Sequence, residues 1–189
     1  MIQKLTDPFL LYPPILDTER LILRPIQLKD AGDLFSFARN EAVSRYVLWS
    51  PHQSIGESRR FIRICRRQYR NGLPGIFAIE HKKDRRMIGT IGYVGFSPEH
   101  RCAEIGYSLD PAYWNNGIMT EALKRLIRYS FDELHLHRLE ACHDVNNPAS
   151  GRVMEKCGMH LEGILRDKYN NKGVYCTVRL FSIVNDKRS

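Results

Sequence analysis

Apolar and polar residues alternate over Ala103–Leu109, with Ala103, Ile105, Tyr107 and Leu109 set between Glu104, Gly106 and Ser108. That is the spacing of a half-buried strand. Pro111, which has no N–H to give a ladder, ends it. From Leu123 the period changes, and Leu123, Leu126, Ile127, Phe131 and Leu134 share one helical face. Between strand and helix stands Asn115-Asn116-Gly117. Such a turn aims several unpaired backbone N–H groups, and the positive end of the helix dipole, at one spot. It makes an anion site without side-chain charge.

The same reading assigns the rest of the chain. Glu19–Ile26 is a first strand, with Pro25 marking an edge or an end, and Lys29–Asn40 is a helix with Asp30 as N-cap. Ser54 to Asn71 is a second helix, opened by Ser54 and Glu57 in capping-box spacing. Gly75–Glu80 and Met87–Phe96 form a hairpin, and Gly89, Gly92 and Gly95 read as bulges or close backbone approaches. Arg138–Val145 is a strand, Asn147–Cys157 a short helix stopped by Gly158, and Met159–Arg166 and Val174–Val184 are two more strands. The result is an α/β (or α+β) domain, a mixed, mostly antiparallel seven-stranded sheet with helices on both faces. Strands 102–109 and 138–145 should run parallel through a right-handed crossover, their C-terminal ends on the rim that carries the Asn-Asn-Gly turn. Residues 1–17 read as an arm, with Phe9–Tyr12 and Pro13-Pro14 packing on a domain over 18–189.

Composition narrows the class. With 189 residues, 43% hydrophobic and 26% charged, the chain is an ordinary globule of one domain. No run approaches the roughly 20 apolar residues of a membrane helix, and no secretory signal opens the chain. Five scattered cysteines without metal-type spacing fit reduced thiols in a cytoplasm, and His135 and His137 read as structural, so no metal is expected. The net charge of +8 fits either a basic soluble surface or attraction to a polyanion. The arginines of 54–71 are likewise a solvated face or a wall drawing acidic groups. No helix-turn-helix, zinc-finger or RNP-type pattern supports a nucleic-acid partner.

The phrases ERLILRP, AEIGYSLDPAYWNNGIMTEAL, HRLEACHDVNNPASGRVMEKCGM and LEGILRD, in this order over residues 18–184, resemble the GNAT superfamily of acetyl-CoA-dependent N-acetyltransferases, in its RimJ/RimL-like branch. That resemblance implies a single GNAT domain with acetyl-CoA as co-substrate. The family's pyrophosphate turn, Q/R-x-x-G-x-G/A, corresponds to Trp114–Met119, with Trp in the first place and Met in the sixth. It implies that backbone amides of Asn115, Asn116, Gly117, Ile118 and Met119, with Thr120, hold the pyrophosphate. It also puts a bulge in the strand ending at Leu109 and splays that strand from the one ending at Val145, so that the pantetheine arm fits between them. An amide near Leu109 would stabilise the oxyanion by roughly 3–4 kcal/mol. Asn147 would bond the pantetheine and Ser150 would sit near the sulfur, the alternative being a plain helix N-terminus.

Many superfamily members place a tyrosine acid seven residues after that Asn, where this chain has Met154. Ser150 is the substitute as polariser of the leaving sulfur. Glu104 is the candidate base through water, or else a structural carboxylate paired with Arg101 or Arg138; His143 and Asp144 are a second option. The implied reaction is direct attack by a primary amine in a ternary complex, on a protein N-terminal α-amine or on a small molecule such as an antibiotic or amino acid. A weakly catalytic acetyl-CoA sensor is the non-enzymatic alternative. Assembly, a homodimer included, leaves no mark in the sequence.

Overall fold

The computed structural model describes residues 13–186, so Phe9–Tyr12 of the expected arm lie outside the described residues. Eight strands form one sheet: β1 (Leu16–Asp17), β2 (Leu21–Pro25), β3 (Ile76–His81), β4 (Arg86–Ser97), β5 (Cys102–Leu109), β6 (Arg138–Asp144), β7 (His160–Asn171) and β8 (Val174–Val184). Their order is β1-β2-β3-β4-β5-β6-β8-β7. The seven expected strands are all present; the eighth, β1, is two residues that pair with β2 inside the stretch expected as an arm. β7 runs five residues beyond Arg166, through an irregularity between Leu165 and Tyr169.

Helices cover both faces. On one lie α1 (Ala31–Ala38), the four-residue α2 (Glu41–Ser44) and α3 (Ile55–Arg70). α3 buries Ser58, Ile62, Cys65 and Tyr69, spaced at helical intervals, and turns its arginines to solvent. On the other lie α4 (Ile118–Asp132) and α5 (Pro148–Lys156). α4 buries Leu123, Leu126 and Ile127 as expected, but it ends before Leu134, and Phe131 and Leu134 are only partly buried. Alternation along β3 supplies both cores: Phe77 and Ile79 join the α4 side, Ala78 the α3 side.

Two expected caps are differently built. Ser54 caps nothing with its side chain; Glu57 instead accepts from the N–H of Gln53 at 2.9 Å. Asp30 occupies the N-cap of α1, but its carboxylate accepts from Arg24 and from the N–H of Gln27. Pairing with a buried guanidinium outweighs a cap at the same oxygen atoms.

The bulge expected in β5 lies in its neighbour. Tyr93 pairs with Ile105 and Gly95 with Glu104, which leaves Val94 of β4 as the extra residue. Its side chain lies over Gly106, where a Cβ would stand only 2.8 Å from Val94 Cγ1.

Candidate functional site

β5 and β6 pair in parallel at three positions only: Cys102 with Arg138, Ala103 with Leu139, Glu104 with Glu140. Beyond Glu104 the strands part, although β5 continues to Leu109 and β6 to Asp144. The main chain of Ile105–Leu109 on that side therefore has no β6 ladder partner, as the splay expected from the sequence requires. A cleft of about 510 Å³ opens there. Its walls are β5 from Ile105 to Leu109, the turn into α4, the first residues of α5 and the segment 42–47. Arg45, Arg152 and Lys156 add positive charge to its lining.

One end of the cleft is the start of α4. Asn115 and Gly117 have φ of 61° and 73°, left-handed backbone that Gly adopts freely and Asn tolerates better than most residues. These two residues bring the chain from β5 to a helix whose first N–H groups have no carbonyl one turn back. Asn115, Gly117, Ile118, Met119 and Thr120 line the cleft. Ile118 and Met119 bury their side chains in the core, so only their main chain can face a ligand. Asn116 is exposed and is fixed through its carbonyl, which accepts from Arg20 Nη1 at 2.9 Å. Trp114 donates its indole N–H to the carbonyl of Leu109 at 2.9 Å, tying the turn to the end of β5. Sequence reasoning missed Arg20. Its Nε pairs with Glu121 at 2.6 Å, and Nη2 would stand 3.6 Å from a Cβ on Gly117. Burial disfavours charge on Glu121, but bonds from Thr18 and from the backbone and guanidinium of Arg20 outweigh it and hold the carboxyl below its ordinary value. The signal for this brace was the Glu121 that opens α4, far in sequence from the Arg20 it holds.

The other end is α5. Asn147 occupies its N-cap position but makes no side-chain capping bond, and both Asn147 and Ser150 line the cleft. The phenol oxygen of Tyr107 lies 2.9 Å from Ser150 Oγ, where either hydroxyl can donate, and 3.1 Å from the Ser150 carbonyl, which can only accept from the phenol. Tyr107 had been read from the sequence only as a core position of β5. Met154 is 1% exposed and packs in the core. His143 is buried at the cleft wall; its Nδ1 lies 2.7 Å from the carbonyl of Asp144, so Nδ1 carries the hydrogen. Its Nε2, left as an acceptor, has no hydrogen-bond partner among the described residues. Asp144 accepts from the N–H and side chain of Asn146.

Glu104 stands apart from this group. Alternation along β5 turns it to the face opposite Tyr107, at the fork where pairing with β6 stops, and it is not among the residues lining the cleft. Gly106 and Ser108 on the same face do line it. Tyr169 donates to Glu104 Oε1 at 3.4 Å, and burial raises the carboxyl above its ordinary value. Neither suggested arginine pairs with it: Arg138 holds Glu140 and Glu162, and Arg101 donates to the carbonyl of His135. Among the described residues no cluster of three or more His, Cys, Asp or Glu could hold a metal. Nor, among the described residues, is any helix long and apolar enough to cross a membrane.

Known proteins are similar to this chain in sequence and in fold. Over 174 residues the chain is 34% identical to the uncharacterized N-acetyltransferase YoaA of Bacillus subtilis, covering 92% of this chain and 98% of that protein. It is 30% identical to the putative ribosomal N-acetyltransferase YdaF of the same organism, covering 88% and 92%. The solved structure of the microcin C7 self-immunity acetyltransferase MccE, in complex with acetyl-CoA and AMP, superposes with a TM-score of 0.83 at 24% identity over 89% of this chain and 94% of that one. Residues 20–160, from the arginine that braces the turn to the first residue of β7, match the acetyltransferase (GNAT) domain, and the chain belongs to that family of N-acetyltransferases.

Proposed function

We propose that the protein transfers the acetyl group of acetyl-CoA to a primary amine, in particular the α-amine at a protein N-terminus, by direct attack in a ternary complex. The observation that carries this is the three-pair limit on β5–β6 pairing, which opens a cleft running from the α4 N-terminus to Ser150. A diphosphate suits the α4 end, where the first backbone N–H groups of the helix have no carbonyl one turn back; Arg20 holds that turn through Glu121 and the Asn116 carbonyl. The amide-rich pantetheine suits the unpaired edge of β5. MccE with acetyl-CoA bound, on the same fold, supports the donor.

In this reading the amine attacks the thioester carbon, a β5 amide near Leu109 holds the oxyanion, and Ser150 donates a hydrogen bond to the departing sulfur. Asn147 orients the pantetheine. Glu104 accepts the amine proton through water, from the face opposite Ser150. A carboxylate is a weak base, which bears on the acceptor. An α-amine, with a pKa near 8, is substantially neutral near pH 7.5, whereas a lysine amine near 10.4 is not. YdaF, named as a ribosomal enzyme, points the same way.

A thiol-release assay with acetyl-CoA against N-terminal peptides, amino acids, polyamines and aminoglycosides tests the reading, and mass spectrometry of the product identifies the acetylated nitrogen. No release with any N-terminal peptide, against release with a polyamine or aminoglycoside, would reject the α-amine acceptor. Ser150→Ala is expected to lower kcat roughly 10–100-fold, the worth of a hydrogen bond to a charged atom. Cys157→Ala should leave kcat unchanged, because burial pushes that thiol up to about 11 and its Sγ bonds the Thr120 carbonyl.

The Glu104 role has its own signature. Burial favours the protonated carboxyl and the Tyr169 hydrogen bond only partly offsets it, so the group loses its proton at a pH above the ordinary carboxylate value. The base form exists above that point; kcat/KM should therefore fall as pH drops through it, and Glu104→Gln should remove this limb. An unchanged acid limb in Glu104→Gln would reject the assignment.

A further inference from the structure

Tyr107 has no task in the reaction as described, yet its phenol touches Ser150 twice. Taking the acetyl-transfer reading as its basis, we infer that Tyr107 is a positioning residue for the leaving sulfur: its Oη–H donates to Ser150 Oγ, so that the Ser150 hydroxyl turns its own hydrogen toward the sulfur as the C–S bond breaks.

Three features of the fold lead there. A serine near the start of a helix tends to turn its hydroxyl back on local backbone groups, a competitor for any external acceptor. Here a group from another element engages that hydroxyl. Tyr107 stands on β5, the strand that also carries the unpaired edge, so one rigid element fixes both the expected thioester seat and the serine rotor. Second, the phenol has one hydrogen and two acceptors on the same residue, Oγ at 2.9 Å and the carbonyl at 3.1 Å. With a sulfur in place, the Ser150 hydrogen goes to it and its lone pair receives the Tyr107 hydrogen. Third, burial raises the phenol well above its ordinary value, so Tyr107 keeps its proton and remains a donor.

The electron count is closed without ionising either residue. The amine nitrogen forms the new C–N bond, and the C–S pair leaves on sulfur as a thiolate that accepts the Ser150 hydrogen bond. The amine proton passes to the base and to solvent. Tyr107 and Ser150 both end protonated, ready for the next turnover.

The thiol of bound CoA reports the pair without any acceptor amine. Its thiolate absorbance is titrated against pH in the CoA complex, with the desulfo-CoA complex subtracted to remove tyrosine. Tyr107→Phe and Ser150→Ala should each raise the midpoint by roughly one pH unit, because the thiolate loses a donor or that donor loses its alignment. The double variant should rise no further than Ser150→Ala alone. With an acceptor from the panel, Tyr107→Phe should lower kcat about tenfold with the KM for acetyl-CoA unchanged, a split that loss of packing would not give. A wild-type midpoint in Tyr107→Phe, or additive shifts in the double variant, would overturn the inference while CoA binding kept the acetyl-transfer reading. Failure of the wild-type protein to bind CoA at all would remove both.

Discussion

Replacing Gly117 by Asp is expected to weaken acetyl-CoA binding on the order of 100-fold, measured by calorimetric titration. Two effects add. The residue has φ 73°, a backbone conformation that costs a side-chain-bearing residue about 1 kcal/mol or more. The new carboxylate also puts a negative charge beside the helix N-terminus that would receive a diphosphate, and it draws on Arg20, whose Nη2 would be 3.6 Å from the new Cβ and whose Nη1 holds the Asn116 carbonyl. Gly117→Ala separates the two. Carrying the strain without the charge, it should lose only several-fold in affinity. Full affinity in the Asp variant would mean that the coenzyme does not use this turn.

The largest stability effect is expected at the opposite face of β2. Arg24 is 8% exposed and meets Asp30 through two bonds of 2.8 Å, with a third to Glu80 at 2.6 Å. The bond to Asp30 leads the effects that raise the guanidinium above its ordinary value, and burial opposes it. Asp30→Ala removes the bidentate partner and the acceptor of the Gln27 N–H, leaving a buried cation half-neutralised. Breaking such a pair costs about 3–5 kcal/mol, which in a chain of this size lowers Tm by roughly 6–20 °C. The double replacement Arg24→Met with Asp30→Leu should recover part of it, since an apolar pair needs no compensating charge while Glu80 and the Gln27 N–H still lose their partners. Asp30→Ala within about 1 kcal/mol of wild type by urea unfolding would show that water reaches the pair. The two experiments read different quantities: the first changes binding with a Tm loss of only about 2–4 °C from the strain, the second lowers Tm further and leaves binding alone.

Residues that act through their own neighbours were legible in the sequence. The period change after Pro111, the Asn-Asn-Gly turn and Gly158, which has φ 82° just past α5, each followed from local backbone rules. Arg20, which braces the turn, was invisible because its partner Glu121 lies 101 residues away. Tyr107 was hidden for a different reason. Period two places it on the core face of β5, and nothing local distinguishes a phenol packed in a core from one aimed at a serine 43 residues on. The bulge that the resemblance implies for β5 lies in β4, beside Gly95, which the sequence reading marks as a bulge or close approach; two paired strands share one irregularity, and which of them carries the extra residue depends on register.

What the sequence alone determined is the order and type of the elements, the helix start that can hold an anion, and the presence of a serine at the head of α5. Apolar periodicity and turn chemistry act over a few residues, so those features are written locally. The tertiary structure alone decided after which pair β5 and β6 separate, that Val94 is the bulged residue, and that Tyr107 and Ser150 meet. These depend on register and on contacts between residues far apart in the sequence, which no short stretch of chain contains.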